Sequence, residues 1–351
     1  MTSKRHFKKL DAIRGAACLY VLAHNTVYVL YGNGLLPQEA KIFFFAGSEA
    51  VMAFFMLSGF LIFYSFRRYS QQDFKTYLSR RFIRIYIPLL ISFLVSMAIA
   101  QFNGHLQAAF SWRETIGNLI LLQDFSQVKP GTWFNPFFGN LPLWSLSYEW
   151  WCYILFYPFY RYLPQKTSRL YVVLGFSMLC YLVYVWIPNT ASLIGAHLII
   201  WWCGGEVATI FDRDRRFSWN NLRPIFICLT TMTALSFSTV LAAEEIRFGH
   251  YPFLIFRHFF SASVACAVGL FWYRKKFAYF DLMFGKFAKL APISYALYIL
   301  QFPILFQWNL RPHIPQTWLI VAIKVVVLFA LSYLIDVKLQ PLVNKWTRSR
   351  L

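Results

Sequence analysis

The stretch LDAIRGAACLYVLAHNTVYVLYG, residues 10–32, decides the fold class of this chain. It is long enough to cross a bilayer, which takes roughly 17–25 mostly apolar residues, yet it contains Arg14 and His24. Ionisable residues inside a membrane cost at least about 2.5–3.5 kcal/mol each on insertion scales, so they usually line a cavity or pair with one another. The stretch therefore predicts a membrane helix with a functional interior face.

The composition extends this prediction to the whole chain. Of its 351 residues, 58% are hydrophobic and 14% are charged, whereas a soluble domain carries about 25% charged residues. We predict an all-α, polytopic transmembrane helical bundle with ten spans, at 12–31, 42–66, 83–102, 142–160, 170–187, 191–211, 224–243, 252–273, 291–310 and 317–337. The apolar run 115–125 is too short to cross and is predicted to be re-entrant or interfacial.

The basic residues predict the orientation of the bundle. The formal net charge of +20 arises from 34 Lys and Arg against 14 Asp and Glu. With the N-terminus inside, the inner segments hold 26 basic residues and the outer segments hold five. The positive-inside rule then places both termini in the cytoplasm, where the basic segments face anionic membrane lipids. Since no nucleic-acid-binding motif accompanies the charge, we expect no nucleic-acid partner.

The chain is predicted to be a single membrane domain, residues 1–351, with no fused soluble domain and no clear internal repeat. Its six cysteines all fall within predicted spans. None is spaced as a metal ligand and none lies in an outer loop, so we expect packing roles and no metal. The basic N-terminus lacks a small-residue cleavage site, and we expect its apolar segment to be retained.

Depth groups the ionisable residues of the spans. Counted at ~1.5 Å per residue through a ~30 Å core, His24 and Glu149 lie roughly 10–12 Å below the outer surface. Four further residues fall within roughly 8–10 Å of that surface by the same count, namely Glu49, His197, Arg257 and His258. The six groups predict a shared hydrated cavity that opens outward.

A second set of charges lies deeper. Arg14 is ~15 Å below His24 on the same helix, near the level at which the segment SRRFIRIYIP (79–88) begins the third span. Its arginines, Arg80, Arg81 and Arg84, together with Arg14, form a cluster of the kind that binds phosphate through paired hydrogen bonds. The alternative is that they only set topology by reaching to lipid headgroups.

Several of these residues also have a purely structural interpretation. A histidine in a span can be a packing residue, and FFMLSGFLIF (54–63) can serve helix packing through Ser58 and Gly59, whose small size lets backbones approach. PLWSLSYEW (142–150) adds Trp144 and Ser147 as cavity candidates, with Ser58. No Gly-x-Ser-x-Gly turn surrounds these serines, so we do not expect a serine nucleophile.

Five blocks in order resemble the acyltransferase 3 family of integral-membrane O-acyltransferases. They are LDAIRGAACLYVLAHN (10–25), FFMLSGFLI (54–62), RRFIRIYIP (80–88), PLWSLSYEWWCYILFYP (142–158) and ISYALYILQFPI (293–304). The last block has Gln301 where relatives often have a histidine, so that histidine has no role here. Many relatives carry an additional soluble domain, which we do not expect in this chain.

The resemblance implies transfer of an acetyl or other short acyl group from acetyl-CoA or another acyl-coenzyme A. The implied acceptor is a hydroxyl of a surface carbohydrate or its lipid-linked precursor, and the implied location is the bacterial cytoplasmic (inner) membrane. We expect His24 to act as the base, with Glu149 orienting it. Arg14, Arg80, Arg81 and Arg84 are expected to bind the phosphates of coenzyme A. An acyl-histidine intermediate is a variant of this mechanism.

A transporter or flippase is the main alternative, since it would use the same buried charges for substrate binding or proton coupling. Inverted repeats with paired broken helices would favour it, and the sequence shows none. Coenzyme A binding distinguishes the two functions. The sequence leaves open the acceptor sugar, the acyl chain, the membrane face of transfer and the oligomeric state, a homo-oligomer included.

Overall fold

The computed structural model describes residues 2–32, 46–68, 73–163, 167–214 and 216–348. Within these residues the regular elements are helices, and the one β contact is an isolated bridge between Gln123 and Phe134. The all-α prediction is therefore confirmed. Residues 42–45 of the second predicted span lie outside the described residues.

Eleven helices form the body of the described chain. They are α1 Thr2–Gly32, α2 Gly47–Arg68, α3 Phe74–Phe102, α4 Trp144–Tyr162, α5 Thr167–Trp186, α6 Thr190–Asp214, α7 Trp219–Leu241, α8 Phe253–Arg274, α9 Ser294–Phe302, α10 Thr317–Tyr333 and α11 Gln340–Arg348. The shorter helical turns are Leu106–Ala109, Trp112–Leu119, Phe137–Gly139, Leu141–Leu143, Phe280–Met283, Gly285–Lys289, Ala291–Ile293, Pro303–Gln307 and Leu334–Leu339. The last of these turns joins α10 to α11.

Seven helices of the described chain are long and apolar enough to cross a membrane, namely α2, α3, α5, α6, α7, α8 and the continuous segment Thr317–Lys345. Each of the ten predicted spans overlaps a helix. Helices α1 and α4 have the necessary length but are not among these seven, and the apolar segment Ala291–Gln307 is shorter. A multi-pass membrane protein is thus established, while the total of ten spans and the orientation of the termini stay predictions.

Helix α6 lies at the centre of the bundle and packs against α2 through glycines. Its Trp201 and Trp202 are fully buried. A Cβ added at Gly59 of α2 would overlap the carbonyl oxygen of Trp201, and one added at Gly204 of α6 would overlap the carbonyl oxygen of Met56. Small residues let two membrane helices touch through their backbones. This confirms the packing interpretation of Gly59.

The ends of α3 are fixed by side chains. At the start, Asp73 accepts a hydrogen bond from the backbone N–H of Thr76 at 3.3 Å, as helix-capping carboxylates do. Hydrogen bonding with Thr76 lowers the pKa of Asp73. At the end, the amide of Asn103 donates to the carbonyl of Gln307 at 2.7 Å. Helix α3 is therefore held beside the turn that follows α9.

Between α3 and α4 the chain folds into the bundle. The helix within the predicted short run, Trp112–Leu119, has eight residues, too few to cross a membrane. After it, Gln123 and Asp124 are buried, and the amide of Gln123 donates to the carbonyl of Leu143 at 2.7 Å. Because this hydrogen bond ties the start of α4 to a buried segment, α4 begins inside the bundle.

Candidate active site

A cavity of about 100 Å³ lies between α1, α2, α3, α4 and the start of α9. Its polar wall consists of Arg14, Ser58, Arg81, Arg84, Ser145, Glu149, Tyr153, Ser294, Tyr295 and Tyr298. We call it the arginine cavity. At roughly 30 Å³ per water molecule, its volume corresponds to about three waters or one group of similar size.

The carboxylate of Glu149 forms a hydrogen-bonded network in this cavity. Glu149 and Tyr153 are one turn apart on α4 and share a face, and the phenol of Tyr153 donates to Oε1 of Glu149. Ser58 of α2 donates to the same oxygen at 2.9 Å, and its own hydroxyl accepts from the indole N–H of Trp201 at 3.3 Å. The network ties α2, α4 and α6 together around one carboxylate.

Three of the four predicted phosphate-binding arginines meet in the cavity. Arg81 and Arg84 are three residues apart and project from one face of α3, while Arg14 comes from α1. Arg80 is exposed and is not part of the wall, because one residue along a helix is a rotation of about 100°. The Arg81 guanidinium lies 5.7 Å from the ring of Tyr153, and that of Arg84 lies 5.3 Å from the ring of Tyr295.

The electrostatics of the cavity favour an anionic ligand. Its wall holds three guanidinium groups and one carboxylate, Glu149. Two buried polar atoms of the wall, Nε of Arg81 and the hydroxyl of Tyr295, have no hydrogen-bond partner within the described chain. An unsatisfied buried donor costs about 1–3 kcal/mol, and a ligand with oxygen acceptors would remove that cost.

His24 lies at a different level from Glu149. A Cβ added at Gly47, the first residue of α2, would overlap the imidazole of His24, whereas Glu149 is hydrogen-bonded to Ser58 of the same helix. Gly47 and Ser58 are about 16 Å apart along the axis of α2. The hydrogen bonds that the structure gives to the Glu149 carboxylate come from Ser58 and Tyr153.

The prediction that His24 and Glu149 share one depth is therefore wrong in its geometry. It counted residues from a membrane boundary placed at residue 142, but the segment before α4 folds into the bundle, so α4 does not begin at that boundary. Glu149 instead lies at the level of Arg14, which is ~15 Å along α1 from His24. The catalytic roles of both residues stay predictions.

Residues 7–337 match the model of the acyltransferase 3 family, described as an acyltransferase domain. The chain belongs to the acyltransferase 3 family. The acyltransferase MdmB of Streptomyces mycarofaciens is 35% identical over 125 residues, which are 35% of this chain and 31% of that protein. The match thus spans about a third of that relative's length, and no solved structure matches the chain.

Most of the remaining candidate residues lie in a second group around two histidines. Nε2 of His197 lies 3.0 Å from Nδ1 of His258, and the ring of Trp144 is parallel to that of His258 with centroids 5.7 Å apart. Arg257 forms an ion pair with Glu49, with Nη2 and Oε1 2.5 Å apart. Five predicted cavity residues are therefore near one another, but none of them lines the arginine cavity.

Two charged residues of this second group were missed by sequence analysis. The ammonium group of Lys129 lies 2.7 Å from Asp124 and 4.0 Å from the centroid of the Trp144 ring, and both charged residues are buried. The phenol of Tyr148 donates to the other oxygen of Asp124 at 2.5 Å. Asp124 and Lys129 lie between predicted spans, where charge is ordinary, so no sequence signal marked them as buried.

The contacts of Ser147 are with backbone carbonyl groups. Its buried hydroxyl donates to the carbonyls of Gln123 and Trp144, at 2.8 and 2.6 Å. These bonds fix the inward-folded segment to the first turn of α4. The tyrosines of the arginine cavity, Tyr153, Tyr295 and Tyr298, were not predicted as site residues, although their sequence blocks carry the family resemblance.

No group of three or more His, Cys, Asp or Glu side chains in the described parts of the chain is arranged to hold a metal ion. Family membership also bears on the alternative of a transporter or flippase. The matching family model is described as an acyltransferase domain and MdmB as an acyltransferase, so family membership favours an enzyme over that alternative.

Proposed function

We propose that this acyltransferase moves an acetyl or other short acyl group from acyl-coenzyme A to a hydroxyl of a surface carbohydrate or its lipid-linked precursor. The bacterial cytoplasmic membrane is its proposed location. The observation that carries the proposal is the arginine cavity, in which Arg14, Arg81 and Arg84 surround a single carboxylate. Guanidinium groups bind phosphate oxygens through two parallel hydrogen bonds, and coenzyme A carries several phosphates.

The size of the cavity limits what it can hold. A volume of about 100 Å³ admits one phosphate group but not a whole coenzyme A molecule. The nucleotide must therefore extend beyond the cavity, with one phosphate among the guanidinium groups. The pantetheine arm then carries the thioester away from the arginines, toward the end of α2 at which His24 lies against Gly47.

Every bond and proton of the proposed reaction is accounted for by the two substrates and His24. His24 takes the proton of the acceptor hydroxyl as its oxygen bonds to the thioester carbon, a general-base role that contributes typically 10²–10⁴-fold. The carbon–sulfur bond breaks, and the thiolate takes up the proton to give free coenzyme A. In the acyl-histidine variant, the imidazole nitrogen bonds to the carbonyl carbon first and the acceptor hydroxyl attacks in a second step.

Glu149 has a modified role in this proposal. Its carboxylate does not orient His24 directly but lies among the donor-binding arginines, where it accepts from Ser58 and Tyr153. A negative charge beside three guanidinium groups offsets their mutual repulsion and competes with the phosphate for their donors. We place Glu149 in acyl-donor positioning within the arginine cavity.

The Glu149→Gln variant distinguishes a role of Glu149 in positioning the acyl donor from a role in binding it. The substitution keeps the shape and one acceptor oxygen but removes the charge that competes with phosphate, so coenzyme A affinity should be unchanged or tighter. The transfer rate at saturating donor should fall about tenfold or more, because a mispositioned thioester loses the alignment on which catalysis depends. Steady-state kinetics and calorimetric titration of the purified protein measure the two quantities. A weaker affinity with an unchanged saturated rate would contradict this role.

The donor site itself is tested by neighbouring arginines on α3. Arg81→Ala should weaken coenzyme A binding about 10–100-fold, since hydrogen bonds to charged groups contribute about 1.5–3 kcal/mol each. Arg80→Ala is the matched control. Arg80 is the neighbour of Arg81 in sequence and carries the same charge, but it is exposed and lies outside the cavity wall. Isothermal titration with coenzyme A measures both. Equal affinities for the two variants would remove the arginine cavity from donor binding.

The acceptor is tested in cells. Surface glycans from a host that expresses the chain should gain alkali-labile acyl esters that the same host without it lacks, as measured by mass spectrometry before and after mild base. Acyl-coenzyme A binding without any glycan ester would leave an acyltransferase with a different acceptor class.

A further inference from the structure

A second cavity with a partly polar wall has no role in the mechanism above. Its volume is about 460 Å³, within the usual range of small-molecule sites, about 300–1,000 Å³. It lies at the end of α3 opposite to the arginines, against the helix Trp112–Leu119 and the turn after α9. Its wall includes Ser96, His105, Glu114, Phe138 and Gln307. We call it the distal cavity.

Two buried polar atoms of the wall have no partner. Ser96 is 2% exposed, and its hydroxyl makes no hydrogen bond within the described chain. The same holds for Oε2 of Glu114, whose other carboxylate oxygen is 3.8 Å from the guanidinium of Arg113. Buried polar groups in proteins nearly always have partners, and each unsatisfied one costs about 1–3 kcal/mol. Both atoms border one cavity, so a bound ligand that supplies hydrogen bonds explains them together.

The backbone of the wall is strained at the same place. Phe138 has a φ of 49°, a left-handed conformation that is uncommon for a bulky residue. The amide of Gln307 donates to its carbonyl oxygen at 2.5 Å, which holds the strained residue in the wall. Such conformations persist where the surrounding structure enforces them and are frequent at binding sites.

The chemistry of the wall selects a neutral, hydroxyl-bearing ligand. An ionised carboxylate only accepts hydrogen bonds, and a serine hydroxyl both donates and accepts, so Glu114 and Ser96 match the O–H groups of a polyol. The negative charge of Glu114 disfavours phosphate, in contrast to the arginine cavity. The rings of Phe137 and Phe138 in the wall suit the apolar C–H face of a sugar ring.

A row of buried polar groups leads from this cavity to the arginine cavity. One turn before Ser96 on α3, the hydroxyl of Ser92 lies 3.4 Å from the amide of Asn140, which also donates to the carbonyl of Ile299 at 2.9 Å. The next residue back on α9, Tyr298, is hydrogen-bonded to Ser145 at 3.0 Å. Both of these last residues line the arginine cavity. The amide oxygens of Asn140 and Gln301 beside this row have no partner within the described chain.

We infer that the distal cavity binds the sugar of the acceptor, with Ser96 and Glu114 hydrogen-bonded to its hydroxyls. The inference rests on the proposed function. Arg84 and Ser96 are about 18 Å apart along α3, so the anionic donor and the neutral acceptor bind at different levels of one helix. Since the phosphates and the thioester of coenzyme A lie at opposite ends of its pantetheine arm, the two binding sites need not adjoin.

The test uses full-length protein and the surface polysaccharide of the expressing host, from which mild alkali has removed the ester groups. Transfer of labelled acetyl from acetyl-CoA is measured against polysaccharide concentration. Glu114→Gln and Ser96→Ala should each raise the KM for polysaccharide about tenfold, the effect of losing one hydrogen bond to a charged or buried group. The KM for acetyl-CoA should not change.

Glu245→Gln and Ser238→Ala are the matched controls, because both residues are exposed and lie far from either cavity along the chain. An unchanged polysaccharide KM in the two cavity variants, with an active wild type, would overturn the inference alone. A rise in the acetyl-CoA KM as well would also overturn it, because it indicates a general structural change. Absence of transfer by the wild type would overturn the proposed acceptor and, with it, this site.

A second measurement does not depend on turnover. The thiol of a Ser96→Cys variant should react with a small, water-soluble maleimide through the distal cavity. The de-esterified polysaccharide should slow that reaction at least about threefold, as expected when a ligand occupies most of a site. An identical labelling rate with and without the polysaccharide would contradict binding there.

Discussion

His24→Ala should lower the rate of acyl transfer by about 10²–10⁴-fold, the contribution of a positioned general base. Coenzyme A affinity should stay within about twofold of the wild type, because His24 is ~15 Å along α1 from Arg14, one of the arginines proposed to bind the donor. The two effects together distinguish a base from a residue that only supports the donor site.

The measurement combines labelled acetyl transfer to de-esterified polysaccharide with calorimetric titration of coenzyme A, on protein purified in detergent. His313→Ala is the control, because His313 is exposed and its ring makes a tilted contact with that of Phe102, with centroids 5.1 Å apart. A His24→Ala variant that transfers acetyl at the wild-type rate would remove His24 from the mechanism. Loss of coenzyme A affinity in this variant would instead assign His24 to donor binding.

Gly59→Ala should abolish the folded bundle. The added methyl group would overlap the backbone carbonyl oxygen of Trp201, and a backbone atom in a central helix cannot turn aside as a flexible side chain can. Separating α2 from α6 would also break the hydrogen bond between the Trp201 indole and Ser58, and thereby the network around Glu149. Fluorescence-detected size-exclusion chromatography and thermal unfolding of the detergent-solubilised protein measure the loss.

Gly175→Ala and Gly269→Ala are matched controls. Both glycines are within helices, and a Cβ added at either would meet no atom within 4 Å. Alanine is favoured over glycine in helices by roughly 0.5–1 kcal/mol, so these variants should be as stable as the wild type or slightly more stable. If Gly59→Ala unfolded at the same temperature as the controls, the close contact between α2 and α6 would not support the fold.

The sequence predicts where the helices are along the chain, but not the depth in the bundle at which each helix begins. Apolar runs mark the spans because hydrocarbon excludes unsatisfied backbone groups, and all ten predicted spans overlap a helix. The depth of Glu149 could not be counted in this way. It depends on the inward fold of the segment before α4, which is held by tertiary hydrogen bonds such as that between Gln123 and Leu143.

The direction in which an individual side chain points could not be predicted from the sequence either. Arg80 and Arg81 are adjacent, and only their tertiary neighbours decide that Arg81 enters the cavity while Arg80 is exposed. The buried pair of Asp124 and Lys129 escaped notice because a mutual ion pair at 2.7 Å compensates charges that would otherwise be excluded from the interior. Glu149 and Arg14, by contrast, fall within predicted spans. The free-energy cost of a charge inside a membrane was enough to mark them as candidates.

Helix α2 contacts the proposed base, His24, at its first residue and the arginine cavity further along its length. Its first residue, Gly47, lies against His24, and about three turns later Ser58 holds Glu149. Gly59 then fixes the same helix against α6. In the proposed reaction, helix α2 is a spacer of constant length between the proposed phosphate site and the proposed base. In the proposed mode of binding, the pantetheine arm spans that distance, and this arm is the same in every acyl-coenzyme A. The spacer would accept donors of any acyl length, and selection among acyl chains must depend on the space beyond His24.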